Sequence, residues 1–177
     1  MWLLQEAIIY MLNVFSADHT DLEWMYKLFI RAANKGHFVF PNNKTNRHKV
    51  KHDFYSIVSQ HQRANSQLRA QTMIFENSEG KVGYIIMSEI ESALGGNEVY
   101  VFIVDDKVRG NGYGKKMLAE ISRRWHPLTD IYVRCLPASK AMAKMLLNAG
   151  FVNQGKTPEG ADIYRLDKMQ PLHYAIS

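Results

Sequence analysis

Apolar residues along this chain recur either at steps of three and four or in short unbroken runs, and the succession of the two rhythms predicts its elements. Leu22, Met25, Tyr26, Phe29, Ile30 and Ala33 fall on one helix face, opened by a capping-box pattern at Thr20-Asp21-Leu22-Glu23 and ended near Gly36. After a polar, basic segment, Pro41–His52, the helical spacing returns with Val50, Phe54, Ile57, Val58 and His61. Leu68–Phe75 and Lys81–Ile90 read as a hairpin turning at Glu76–Gly80, and Gly95-Gly96-Asn97 leads into the run Val99–Val104. That run is apolar throughout, which predicts a strand buried on both faces. Met117, Leu118, Ile121 and Trp125 mark a helix, and Ile131–Cys135 a short strand. Met142, Met145, Leu146 and Ala149 mark a further helix, opened by Pro137-Ala138-Ser139 and stopped by Gly150. Val152–Gly155 and Ile163–Leu166 form a closing hairpin around Pro158-Glu159-Gly160. Residues 1–10 fit either a short helix or the extension of a first strand around Tyr10–Phe15.

The resulting order, β-α-α-β-β-β-α-β-α-β-β, predicts an α/β (α+β) domain in which a strand–helix–strand crossover is flanked by hairpins and the mixed sheet is covered by helices. The 177 residues, 46% of them apolar, suffice for one domain with a sizeable core. No linker or repeat divides residues 1–177, and the core is expected between about residues 10 and 167. A net charge of +5 fits a protein that attracts anionic ligands as well as one that binds nucleic acid. Cys135 is the single cysteine, which rules out an internal disulfide and points to a reducing, cytoplasmic setting. The apolar run Ala7–Phe15 is preceded by Glu6 and by no Lys or Arg, so it makes a poor signal peptide, and it is too short to span a bilayer.

Chemistry concentrates after Val104. Gly110, Gly112 and Gly114 alternate between a buried strand and a helix start, where absent side chains let backbone N–H groups close around an anion and the helix dipole assists. The spacing is not a dinucleotide fingerprint, and no acidic residue about 20 positions on closes a strand. Nor is it a Walker loop, because Arg109 stands where the first glycine is needed and Lys115 is followed by Lys116.

Arg109-Gly110-Asn111-Gly112-Tyr113-Gly114 matches Arg-x-x-Gly-x-Gly, and here the chain resembles the GCN5-related N-acetyltransferase (GNAT) family. Ala149-Gly150-Phe151 stands where that family carries its Gly-Phe, and the element order is similar from about residue 10 to residue 167. The resemblance implies a mixed, mostly antiparallel sheet with a β-α-β cofactor-binding core, flanked by about four helices. It implies an acetyl-CoA-dependent N-acetyltransferase acting by direct attack of a primary amine. Arg109, Gly110, Asn111, Gly112, Tyr113, Gly114 and Lys115 would hold the pyrophosphate of acetyl-CoA, with Lys116, Lys140 and Lys144 as further cations. The backbone of Phe102, Ile103 and Val104 would pair with the pantetheine arm between the two parallel strands, and Ser139 would touch the cofactor where asparagine is common. No metal is expected.

Acetyl transfer also needs a route for the ammonium proton and a thiolate leaving group. Glu98 is the first candidate base, with Glu89, Glu91, His37 and His52 as alternatives. Family members often carry an acid-donating tyrosine four residues before the Gly of Gly-Phe; Leu146 stands there, so Tyr132, Ser139 or Tyr164 substitutes, or no acid is used. The acceptor mouth in this fold lies at the first two helices and the loop between them, here read as the basic stretch Lys44–His52. That stretch suggests an acidic protein or metabolite as partner, with nucleic acid a further possibility. The alternative to an enzyme is a non-catalytic coenzyme A-binding, nucleic-acid-binding or protein-binding module on the same fold.

Overall fold

In the computed structural model the described residues are 12–41, 43–61, 70–90, 95–126 and 128–168. The expectations for residues 1–10, for a strand start at Leu68 and for Glu91 lie outside them. The described elements are β1 (Asn13–Ser16), α1 (Leu22–Asn34), α2 (Lys44–His61), β2 (Ala70–Asn77), β3 (Gly80–Glu89), β4 (Asn97–Val104), α3 (Tyr113–Trp125), β5 (Ile131–Cys135), α4 (Lys140–Asn148), β6 (Val152–Lys156) and β7 (Asp162–Leu166). A single 3₁₀ turn, Asp106–Val108, lies between β4 and α3.

The seven strands form one sheet in the order β1-β2-β3-β4-β5-β7-β6. Every pairing is antiparallel except β4 with β5, where the α3 crossover forces parallel neighbours. One face of the sheet packs on α3 and α4 through Met117, Leu118, Ile121 and Leu146, and these meet Phe75, Ile85, Val133 and Leu166. The other face packs on α1 and α2 through Met25, Leu28, Phe29, Phe54 and Val58, against Ile74, Tyr84, Ile86, Val101 and Ile103. Two helix layers around a sheet is the arrangement the element order predicts.

The glycine that ends α4 has a mechanical reason. Gly150 takes a positive φ of 91°, its N–H reaches the Leu147 carbonyl at 3.1 Å, and the Phe151 N–H reaches the Leu146 carbonyl at 3.1 Å. That is a Schellman stop, and its usual apolar contact is present because Leu146 and Phe151 are both buried in the same core.

Three expectations change. First, α2 begins at Lys44, so the basic stretch Lys44–His52 is the first half of a helix and not a loop. Second, no capping box forms: Asp21 occupies the N-cap position, and its carboxylate takes Lys81 and the Asp18 N–H instead of the helix amides. The α1 face is also turned, with Leu28 and Ala32 buried beside Met25 and Phe29, while Tyr26, Ile30 and Ala33 are half-buried. Third, β4 is not buried along its length. Met87 pairs with Val99 and Ile86 with Val101, so Tyr100 is an extra residue and 54% exposed. A bulge shifts the side-chain alternation by one. Val99 therefore joins the α3/α4 core, whereas Val101 and Ile103 join the α1/α2 core.

Candidate active site

The bulge at Tyr100 also ends the parallel ladder. β4 and β5 pair only at Asn97–Ile131, Glu98–Tyr132 and Val99–Val133. Beyond Val99 the strands part, and among the described residues no strand pairs with that edge of β4 from Tyr100 to Val104. A cleft of about 440 Å³ fills the gap. Its walls come from both layers: Phe102, Val104, Met142 and Met145 belong to the α3/α4 side, and Ala32, His37 and Phe38 to the α1 side. The cleft thus passes through the sheet, and a ligand entering from one side can meet another entering from the opposite side.

The glycine turn lies at the α3 mouth. Asp105, 5% exposed, fixes the end of β4: its N–H donates to Val82 at 2.8 Å, and its carboxylate accepts from Lys107 N–H at 3.2 Å, Trp24 Nε1 at 3.4 Å and Arg31 Nη2 at 3.5 Å. Asp106 takes Lys35 at 3.1 Å and Arg109 Nη1 at 2.9 Å. Burial pushes its carboxyl upward, but the Lys35 hydrogen bond and the charges of Arg109, Lys35 and Arg31 prevail and hold it below the ordinary carboxylate range. Trp24 and Arg31 of α1, with Lys35 directly after it, therefore pin the turn, and Arg109 is oriented by Asp106 and by the Val104 carbonyl at 3.2 Å.

Gly110 and Gly112 have φ of 86° and 78° with open space where a Cβ would stand. Gly112 is the N-cap of α3 and has no side chain to cap it; Lys116 N–H already reaches the Gly112 carbonyl at 3.3 Å, so the amides of Tyr113, Gly114 and Lys115 precede the helical ladder. All three of these residues line the cleft. Gly114 has a different role, since a Cβ there would come within 3.3 Å of Met145 Sδ on α4. Tyr113 is anchored by Asn77, which donates to its hydroxyl at 2.6 Å.

Of the residues singled out in the sequence, Phe102, Ile103, Val104, Arg109, Gly110, Gly112, Tyr113, Gly114, Lys115 and Ser139 line the cleft, whereas Asn111, Lys116, Lys140 and Lys144 are not among its lining. Glu98 and Tyr132 stand outside it as well. Arg134 takes both oxygens of Glu98, one of them through Nη2 at 3.0 Å, and the Tyr132 ring lies under Arg165 at 5.8 Å. Leu146 is fully buried, and Tyr164 is 5% exposed in the α3/α4 core. Cys135 lines the cleft, but burial, with Asp162 nearby, pushes its thiol up to about 12, so it stays protonated at neutral pH.

His37 and Ser139 are the polar pair of the cleft. They come from the turn after α1 and the start of α4, and His37 Nδ1 lies 3.0 Å from Ser139 Oγ. Burial first, then the nearby charges of Arg109 and Lys35, hold the imidazole below its ordinary range despite the opposing Asp106. Sequence reasoning passed over Tyr100, Arg134, Asp105 and Asp106. The two adjacent acids directly before the glycine turn were the available signal for the latter pair; the first two depend on strand register.

No family model and no curated protein matches the chain. Solved structures do match. The "histone acetyltransferase HPA2 and related acetyltransferase" of Corynebacterium glutamicum is 17% identical, with 90% of this chain and 98% of that chain covered and a TM-score of 0.70. Spermidine N-acetyltransferase of Vibrio cholerae, solved with CoA and spermine, is 16% identical, with coverage of 87% and 92% and a TM-score of 0.66. The ribosomal-protein-S18-alanine N-acetyltransferase of Escherichia coli is 15% identical, with coverage of 91% and 96% and a TM-score of 0.62. With these TM-scores over nearly the whole of each chain, the seven described strands in one mostly antiparallel sheet and the four described helices make up the fold of the GCN5-related N-acetyltransferases.

Proposed function

We propose that the protein is an acetyl-CoA-dependent N-acetyltransferase that delivers the acetyl group to a primary amine by direct attack. The observation that carries this reading is the cleft through the sheet, with unladdered helix amides and cations at one mouth and a neutral imidazole toward the other.

The residues fit the cofactor's chemistry. Arg109 and Lys115, with the amides of residues 113–115, supply charge and N–H donors for a pyrophosphate at a 13-residue helix. The free edge of β4 at Phe102, Ile103 and Val104 offers backbone groups to the amides of a pantetheine arm. Bound acetyl-CoA supplies an activated thioester. A backbone N–H near Ile103 aimed at its carbonyl would lower the barrier by about 3 kcal/mol, as preorganised oxyanion donors typically do.

The attacking amine, with a pKa of about 10.4, must first lose a proton. His37 receives it in this proposal, because it lines the cleft and is held neutral, with Nδ1 3.0 Å from Ser139 Oγ; in the tautomer whose Nδ1–H donates to that oxygen, Nε2 is the nitrogen that takes the proton. This replaces Glu98, whose carboxylate is committed to Arg134. No acid need serve the leaving group: a thiol with a pKa of about 8.5 departs as thiolate unaided. Calorimetric titration with acetyl-CoA and a thiol-release assay over an amine panel test the proposal. Binding with acceptor-dependent release of free CoA supports it, no binding at millimolar acetyl-CoA overturns it, and binding without turnover leaves a CoA-binding module.

A further inference from the structure

We infer that Arg134 is the acceptor-recognition group of the cleft, and that the amine it selects belongs to a molecule carrying a carboxylate or other acidic group close to that amine. The inference rests on the acyl-transfer reading above and names its substrate class.

Three observations lead to it. Among the described residues, the charged side chains that line the cleft are Arg109, Lys115 and Arg134, and no Asp or Glu is in the lining. A polyamine entering there would surrender its hydration to a described lining that offers no anion to replace it, a large cost for a charged group. An acidic acceptor meets the opposite condition.

Secondly, Arg134 is placed on the acceptor side. Its neighbours Val133 and Cys135 are buried in the α3/α4 core, so alternation along β5 turns Arg134 to the sheet face that α1 approaches. Its side chain is 50% exposed and lines the cleft beside Tyr100. Glu98 lies outside the lining and holds the guanidinium through Nε and Nη2, so Nη1 takes no part in that pairing. An arginine anchored from behind by a carboxylate loses little rotamer freedom when it binds a second one. Glu98 is thus a positioning residue rather than a base. Glu159, on the β6–β7 turn, adds a weaker attraction to the same guanidinium and is not part of the lining.

Thirdly, the wider field has the matching sign. Lys44, Arg47, Lys49 and Lys51 stand in the first half of α2 with no acid among residues 44–52, and with Asp53 the helix carries +3 of the net +5. Phe38, shortly before that helix, is part of the cleft wall. A concentrated positive surface raises the encounter rate of acidic molecules and weakens with salt.

The test uses the full chain with acetyl-CoA and three tripeptides that differ only in the residue after the N-terminal amine: glutamate, glutamine or lysine. Spermidine is the fourth acceptor. The inference expects kcat/KM for the glutamate peptide to exceed that for the glutamine peptide at least tenfold, with the lysine peptide and spermidine lowest. In Arg134→Gln the glutamate-to-glutamine ratio falls to about one, and Arg134→Lys restores part of it. Glu98→Gln keeps the preference but raises KM more than it lowers kcat. Thermal unfolding of each variant separates loss of recognition from loss of fold, and the ratio within one variant is independent of the amount folded. Preference for spermidine or the lysine peptide, or an unchanged ratio in Arg134→Gln, overturns the inference. If no peptide turns over, calorimetric titration of the glutamate peptide into the CoA-bound protein decides: failure to bind at millimolar concentration overturns it. Failure to bind CoA at all would instead overturn the acyl-transfer reading.

Discussion

Gly112→Ala separates what the glycine turn does for the fold from what it does for a ligand. Gly112 sits at φ 78°, where an L side chain costs about 1–2 kcal/mol. The stiffer unfolded chain returns about 0.4–1 kcal/mol of that, leaving a net loss near 1 kcal/mol. For a protein of this size the melting temperature should fall by roughly 2–4 °C. Gly160, at φ 84° in the β6–β7 turn, has the same open space around it and lies outside the cleft, so Gly160→Ala carries the same strain with no ligand nearby. Coenzyme A at a hundredfold excess over its Kd should stabilise the native protein by about 2.7 kcal/mol, a rise of roughly 5–10 °C. Thermal unfolding with and without coenzyme A then reads both effects. The two variants should lose similar stability when free, while the rise survives in Gly160→Ala and shrinks by half or more in Gly112→Ala. An equal rise in both would refute the argument that the turn holds the ligand.

A Cβ at Gly83 would press on the Ile103 carbonyl and lie 2.9 Å from Met117 Cε, so Gly83→Ala should destabilise by about 1–3 kcal/mol in denaturant titration. Leu146 is fully buried between α4 and the sheet, and Leu146→Ala should cost about 2–5 kcal/mol with no change in the pH dependence of any activity. His37 is held below its ordinary range by burial and by Arg109 and Lys35, so the limb of kcat/KM that it sets should lie below the pH of a free histidine, and His37→Gln should lower kcat by about 10²–10⁴. The same shift has a sign in stability. Above the unfolded value of 6.5 both states are neutral, and below it the unfolded chain takes a proton that the native protein resists, so stability falls on acidification. His37→Gln should lose less stability than the parent between pH 7 and the folded pKa.

Local signals are legible in the sequence. The Arg109–Gly114 turn, the strand Ile131–Cys135 and the Gly150 stop each depend on a few adjacent residues, and each stands where its chemistry requires. What escaped depends on register or on distant partners. The bulge at Tyr100 is invisible in Val99–Val104, because a strand that lines an apolar cleft is as apolar as one packed against a helix. Glu98 and Arg134 are 36 residues apart, and His37 and Ser139 are 102 apart, so neither pair can be read without the fold. The start of α2 is hidden because Lys44–His52 carries almost no apolar periodicity; packing of Val50, Phe54 and Val58 anchors a helix whose first half has Val50 as its one apolar residue.

The central claim is that the parted edge of β4 and the amides after Gly112 form one continuous cofactor groove, and a crystal structure with coenzyme A tests it most directly. The account predicts the pyrophosphate against residues 110–115 and the pantetheine arm along Tyr100–Val104, between β4 and β5. Coenzyme A bound elsewhere, or a pyrophosphate that leaves the amides of Tyr113, Gly114 and Lys115 untouched, would contradict it.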